Sequence, residues 1–319
     1  MDANRSSGKL YIIVPCYNEE AVLQETKNRL LEKTEDLIRR GLISDESRII
    51  FVDDGSKDRT WSMIEDMHDS SKYIRGIKLS RNRGHQNALL AGMMTAKEEC
   101  DMIVSMDADL QDDIDVLDQF VEKYNSGCEI VYGVRNSRKT DSAFKKRTAE
   151  SFYSIMRWMG ADIVYNHADY RLMSRRALDS LGNYQEVNLF LRGIIPMIGF
   201  KTDVVYYERH ERYAGESKYP LKKMLSFAVD GITSLSVQPL RFITAMGLII
   251  FIISLILLVY YVLGHFFGNT VKGWSTLVVS IWALGGLQLL ALGIVGEYVG
   301  KIYLETKQRP RYIIETYLK

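Results

Sequence analysis

Apolar and polar positions divide the chain into two regimes. Over residues 10–15, 48–52, 73–79, 102–106 and 129–132, short apolar runs are bounded by polar residues, as in strands buried within a sheet. Between them the pattern predicts helices from Asn18 to about Arg40, over residues 61–71, from His85 to about Lys97 and over residues 114–126. Strand and helix alternate, which predicts an α/β fold with a doubly wound, mostly parallel sheet. From residue 136 to Pro220 the regularity falls, although residues 142–159 suit an amphipathic helix.

The second regime is apolar. Leu221, Met224, Leu225, Ala228 and Ile232 recur at helical spacing beside Lys222 and Lys223, as in a helix lying in a membrane interface, and Pro239 separates this stretch from the uncharged segment beginning at Phe242. Residues 242–263 and 276–296 carry no charge. At ~1.5 Å per residue each can cross a ~30 Å hydrocarbon layer, so a two-helix transmembrane hairpin is expected. The divisions read as a catalytic domain over residues 1–220, an interfacial region over 221–240, the hairpin over 241–298 and a cytoplasmic tail over 299–319. Lys222, Lys223 and Arg241 precede the first span and Lys301, Lys307, Arg309 and Arg311 follow the second, whereas the connecting loop holds only Lys272 and His265. This positive-inside bias predicts a multi-pass plasma-membrane protein with its catalytic domain and both termini in the cytoplasm. The polar residues 1–9 hold no apolar signal segment.

Composition narrows the chemistry. The 319 residues allow one large domain or two ordinary ones, and a formal charge of +1 gives no basic excess for nucleic acid. Cys16, Cys100 and Cys128 are too few and too scattered for a disulfide framework or zinc cluster. His85, His167 and His210 lack metal-ligand spacing and are expected in structural or surface roles. There is no Walker lysine loop, and no G-x-G-x-x-G follows the first strand.

Polar clusters follow at least four strands: Cys16-Tyr17-Asn18-Glu19, Asp53-Asp54, Arg81-Asn82 and Asp107 to Gln111. Ligands of open α/β sheets bind outside the carboxyl ends of the strands, and convergence there suits a nucleotide. Asp107, Asp109 and Gln111 offer hard oxygen donors to Mg²⁺ or Mn²⁺, with a nucleoside diphosphate as cargo. An isolated D-x-D serves equally as an acidic loop capping the next helix; its companions at the other strand ends favour the metal. Asp112 is either a further acidic neighbour or a helix cap, the cap being preferred. Asp169 and Arg171 stand among apolar residues, and residues 209–218 are basic.

The set Val14-Pro-Cys-Tyr-Asn-Glu-Glu20, Val52-Asp-Asp-Gly-Ser56, Ser80-Arg-Asn-Arg-Gly-His85, Met106-Asp-Ala-Asp-Leu-Gln111, Asp169-Tyr-Arg171 and Gly215-Glu-Ser-Lys218 resembles the family-two, GT-A-fold glycosyltransferases. Within them it is most similar to the polyprenyl-phosphate enzymes of the bactoprenol glucosyltransferase type, and more distantly to dolichol-phosphate mannose synthase. The resemblance spans nearly the whole chain. It implies that Pro15, Tyr17, Glu19, Val52 and Asp54 hold the nucleoside, with Asp54 near the base, and that Asp107, Asp109 and Gln111 form the metal shell. It further implies a backbone contact from Ala108 to the nucleotide, Arg135 at the diphosphate, and Arg212 and Lys218 near the phosphates. Relatives often have proline after the D-x-D-L-Q run, where this chain has Asp112-Asp113-Ile114.

The activity so implied is inverting transfer of one sugar from UDP-glucose or UDP-N-acetylglucosamine to undecaprenyl phosphate, assisted by Mg²⁺ or Mn²⁺. A phosphate acceptor with a second pKa near ~6 is mostly a dianion at neutral pH and needs little or no general base. Asp169 then either orients the acceptor, balances Arg171 or forms an ordinary buried ion pair; Arg171, Arg212 and Lys218 are expected to meet the acceptor phosphate. Arg212 and Lys218 suit a lipid-headgroup surface as well. Gly247, Gly285, Gly286, Gly293 and Gly296 permit close helix packing, within the chain or in a homo-oligomer. A glycolipid or growing polysaccharide is the alternative acceptor, and a non-catalytic sugar-nucleotide-binding membrane protein the alternative class. Gln238-Pro-Leu-Arg241-Phe242 is superficially similar to the Q-x-x-R-W signature of processive synthases, but two spans supply too little protein for a translocation channel.

Overall fold

The computed structural model describes residues 7–135, 167–187, 189–208, 238–266 and 274–319. They fall into two units, one holding the described residues up to Glu208 together with Arg309–Lys319, the other the described residues from Gln238 to Gln308.

The first unit is built on strands β1 (Leu10–Cys16), β2 (Arg48–Asp53), β3 (Ile74–Leu79), β4 (Met102–Ser105), β5 (Ile130–Arg135), β6 (His167–Ser174), β7 (Thr202–Tyr207) and β8 (Ile314–Leu318). They form one sheet in the order β7-β5-β6-β4-β1-β2-β3-β8. β1 pairs in parallel with β2 and β4, as do β2 with β3 and β5 with β7. Among the described strands only β6, wedged between β4 and β5, and β8, on the free side of β3, run antiparallel to their neighbours. This mostly parallel sheet is the architecture expected from the strand–helix alternation.

Helices α1 (Leu23–Arg39), α2 (Thr60–Ser70), α3 (His85–Ala96), α4 (Leu117–Asn125), α5 (Arg175–Gly182) and α6 (Leu191–Met197) cover both faces. Successive strand side chains point to opposite sides, so Ile12 and Val14 join one core with Leu30 and Phe120, while Tyr11 and Ile13 join the other with Leu90 and Leu178. Coverage on both faces explains why the central strands read as unbroken apolar runs.

Beyond residue 136 the residue pattern is a poorer guide. β6 carries Asp169 and Arg171, and β7 is a partly exposed edge strand, so neither shows a clean apolar signature. The final residues, expected as a tail, close the sheet. Arg75 donates to Glu99 (2.7 Å) and to the Tyr317 hydroxyl (3.0 Å), Lys78 pairs with Glu315 (3.1 Å), and Lys319 with Glu99 (2.8 Å). Burial opposes ionisation of Glu99, but hydrogen bonds from Lys319 and Arg75 outweigh it and hold the carboxyl below its ordinary pKa. Asp112 is not the helix cap: Asp113 accepts from the Asp115 N–H (2.9 Å) and opens a short 3₁₀ turn over Ile114–Val116. The helices expected over residues 142–159 and 221–237 lie outside the described residues.

In the second unit, α7 (Gln238–Phe266) and α8 (Trp274–Thr306) are long and largely apolar. Among the described residues one segment, Leu284–Thr306, is long and apolar enough to cross a membrane, and Gln238–Ile250 is a shorter apolar stretch. α8 continues past the expected end at residue 296, carrying Glu297, Lys301 and Glu305 on its last turns.

Gly92 sets how closely α3 lies on the sheet: a Cβ there would stand 2.4 Å from Ile13 Cγ2 and 2.8 Å from Val52 Cγ2. Gly92→Val is therefore expected to destabilise the sheet unit by about 1–3 kcal/mol through overpacking. A lowered thermal midpoint checks this, and an unchanged or raised midpoint contradicts it.

Candidate active site

The polar clusters meet along the edge formed by the carboxyl ends of β1, β2 and β4, and the loops that carry them are tied to one another. After β1, the Asn18 N–H donates to Ser56 Oγ (2.9 Å), Lys57 N–H donates to Asn18 Oδ1 (2.8 Å), and Glu19 N–H donates to Thr60 Oγ1 (2.9 Å). After β2, Asp53 accepts from the Ser56 N–H (3.2 Å). Gly55 adopts φ +68°, and a Cβ there would meet Asn82 N at 2.6 Å, so only glycine lets the loops after β2 and β3 touch.

Asp54 is buried, and its two oxygens accept from the N–H groups of Arg83 (2.6 Å) and Gly84 (2.9 Å). Burial raises its pKa, with those two N–H groups opposing. Both oxygens thus hold the loop after β3. Pro15 and Val52 are likewise buried in their strands, whereas Tyr17 is exposed and Glu19 half-buried.

After β4 the chain turns through Asp107 to Gln111, with Leu110 at φ +56°. The Ala108 carbonyl accepts from Thr26 Oγ1 of α1 (2.8 Å), and the Gln111 N–H donates to Asp109 Oδ1 (3.2 Å). His85, at the start of α3, donates from Nε2 to Asp107 Oδ1 (2.9 Å). Burial opposes charge on this imidazole, but the Asp107 hydrogen bond and charge outweigh it and push its pKa up to about 9. Asp107 is lowered in return: its own burial is overcome by His85.

Two charged groups complete the edge. At β6, Asp169 pairs with Arg171 of the same strand and accepts from Arg192 of α6 at Oδ1 (3.3 Å) and Oδ2 (2.9 Å). Burial would raise Asp169, yet Arg192 and Arg171 hold it well below the usual carboxylate range. Ser105 Oγ donates to the Asp169 carbonyl (2.6 Å) and ties the group to the end of β4. Arg171, expected beside the acceptor phosphate, is instead completely buried.

At β5, Arg135 donates from Nη2 to Asp112 Oδ1 (2.9 Å) and from Nε to the Tyr207 hydroxyl (3.1 Å), which itself donates to Asp112 Oδ1 (2.6 Å). Burial raises the Asp112 carboxyl, and nearby Asp107 adds to the effect.

The structure thus gathers Asp107, Asp109, Gln111, Asp169 and Arg135 at one side of the sheet. Arg212 and Lys218 lie outside the described residues. Arg192 and Tyr207 lie beside these residues without having been expected there, and His85, expected in a structural or surface role, is partly exposed and bonded to Asp107. Only His85 carried a signal in the sequence, as the last residue of the Ser80–His85 run that follows the third strand.

Tyr207→Phe removes the hydroxyl's hydrogen bonds to Arg135 and Asp112, leaving Arg135 only its direct bonds to Asp112 and part of a charged group unsatisfied. The expected cost is about 1–3 kcal/mol. A lower denaturation midpoint with unchanged slope checks it.

A family model described as glycosyl transferase family 2 matches residues 11–182. A Bacillus subtilis (strain 168) protein named uncharacterized glycosyltransferase YkoT is 54% identical over 311 residues, covering 98% of this chain and 92% of its own. The prophage bactoprenol glucosyl transferase homolog of Escherichia coli K12 is 39% identical, covering 96% of this chain and 98% of its own. The bactoprenol glucosyl transferase of Shigella phage SfX is also 39% identical, covering 97% and 99%. Matched by the family model over more than half its length and by these relatives over nearly all of it, the chain is a glycosyltransferase belonging to family 2.

Proposed function

We propose that this glycosyltransferase moves a single glucose, with inversion, from UDP-glucose to undecaprenyl phosphate at the cytoplasmic face of the plasma membrane. The observation that carries the reading is the near full-length similarity to proteins named bactoprenol glucosyl transferase, which extends through both units. UDP-N-acetylglucosamine is the other donor to be tested.

Tyr17 and Glu19 line the nucleoside end, on a frame of Pro15, Val52 and Asp54. The turn after β4 presents Asp107 and Asp109, whose hard oxygen donors suit Mg²⁺ or Mn²⁺, with Gln111 beside them and the Ala108 backbone facing the nucleotide. Among the described residues no group of three or more His, Cys, Asp or Glu is arranged to hold a metal, so this pair needs donor diphosphate oxygens to complete a shell. When bound, the cation supplies positive charge for the departing diphosphate. Arg135, fixed by Asp112 and Tyr207, adds a permanent charge at the same end. Asp169, held far below its ordinary pKa by two guanidiniums, is a poor proton acceptor at neutral pH. A phosphate dianion as acceptor removes the need for one.

The return of Arg309–Lys319 to the sheet unit supports the hairpin. A segment that crosses a membrane and leads back to β8 needs an even number of crossings, which two spans would supply. Lys222, Lys223, Lys301 and Lys307 favour the cytoplasm for that side. Arg212 and Lys218 would meet the acceptor phosphate.

Membranes carrying the protein, supplied with undecaprenyl phosphate, Mg²⁺ and a panel of nucleotide sugars, are expected to form a chloroform-soluble glucolipid from UDP-glucose. Asp109→Ala and chelation of the cation should each abolish it. Transfer only to water or to a soluble sugar, with none to the lipid, would sink the proposal.

A further inference from the structure

Arg171 cannot receive the acceptor phosphate, being wholly buried. The guanidinium that reaches the surface beside Asp169 belongs to Arg192, whose side chain is 33% exposed. Arg192 is fixed from two directions. Its Nε and Nη2 fork grips both oxygens of Asp169, a geometry that orients as well as attracts. The start of its helix is anchored by buried Leu191, whose N–H donates to Gln86 Oε1 (2.8 Å), next to His85.

Its position along the sheet edge assigns it a side. The nucleoside loops follow β1 and β2, the carboxylate turn follows β4, and Asp169 lies on β6, across β4 from β1 and β2. The donor's sugar is joined to its diphosphate, so an attacking group must approach from the flank away from the nucleoside. Asp169 and Arg192 occupy that flank.

We propose that Arg192 binds the phosphate of the lipid acceptor, and that Asp169 is its positioning residue, held in turn by Arg171. This rests on the function proposed above. A guanidinium is suited to a phosphate because it stays charged at any working pH and carries donors along more than one edge, the Nε–Nη2 edge being the one that Asp169 takes.

The test is steady-state transfer by the full-length protein in membranes, titrating undecaprenyl phosphate at saturating UDP-glucose and then the reverse. Arg192→Ala is expected to raise the acceptor KM by about 10- to 100-fold, the loss of a charge-assisted hydrogen bond, and to leave the donor KM within about two-fold. Arg192→Lys keeps the charge without the fork and should fall between; it carries the test if the alanine variant does not fold. Asp169→Asn should also raise the acceptor KM, whereas a general base at that position would lower kcat and leave the acceptor KM unchanged. A wild-type acceptor KM in both Arg192 variants, or a donor KM shifted as much as the acceptor KM, overturns the inference. If the unaltered protein transfers nothing to the lipid, the underlying function falls first, and the two failures are thereby told apart.

Discussion

The buried pairing of Asp169 with Arg171 is the constraint on which the rest turns. β6 joins the parallel strands β4, β1, β2 and β3 on one side to β5 and β7 on the other, so without it the sheet separates into two pieces. Yet this central strand carries two charges. Removing such groups from water is costly, and the cost is offset only when each finds a partner. Asp169 meets that condition twice, through Arg171 within the strand and Arg192 from α6. The same interaction that allows β6 to be buried therefore also brings α6 to the functional edge.

The site has two halves built by different physics. On the β1–β2–β3 side, position is set by backbone N–H groups and hydroxyls: Asp54 on Arg83 and Gly84, Ser56 on Asn18, Thr60 on Glu19. On the β4–β6–β5 side it is set by charge, with His85 on Asp107, Arg192 on Asp169 and Arg135 on Asp112. On the function proposed above, the frame tied by backbone N–H groups would take the nucleoside, whose groups are mostly uncharged hydrogen-bonding atoms. On the same reading the charged frame would take the phosphates, whose repulsion must be countered at fixed points.

Much of this was legible from residue pattern. The strands β1 to β5 and helices α1 to α4 declared themselves because burial on both faces leaves unbroken apolar runs, and the clusters at their ends fell where the fold brings them. Other parts were hidden for identifiable reasons. β6 was obscured by Asp169 and Arg171, because pairing across a fold leaves no trace in local hydropathy. Arg192 is one basic residue in an otherwise apolar stretch, and only its tertiary contact with Asp169 distinguishes it. Asp112 looked like a cap because Asp113 stands beside it; the two neighbours divide the roles, Asp113 capping the turn and Asp112 facing Arg135.

β8 was hidden by its remoteness, since its partner β3 lies more than two hundred residues earlier in the chain. Closing so long a loop costs entropy, though the cost grows only slowly with length, and Arg75, Lys78, Glu99 and Glu315 supply polar contacts that favour the pairing. The pairing does more than cover an open edge. A chain that leaves the sheet unit for an apolar segment and then returns to it cannot end across a bilayer from where it began. On the membrane reading proposed above, the pairing of β8 would constrain topology independently of the lysines and arginines that flank the apolar helices. A positive-inside count describes how a chain is inserted, whereas a strand seated in the sheet limits which inserted forms can complete the fold.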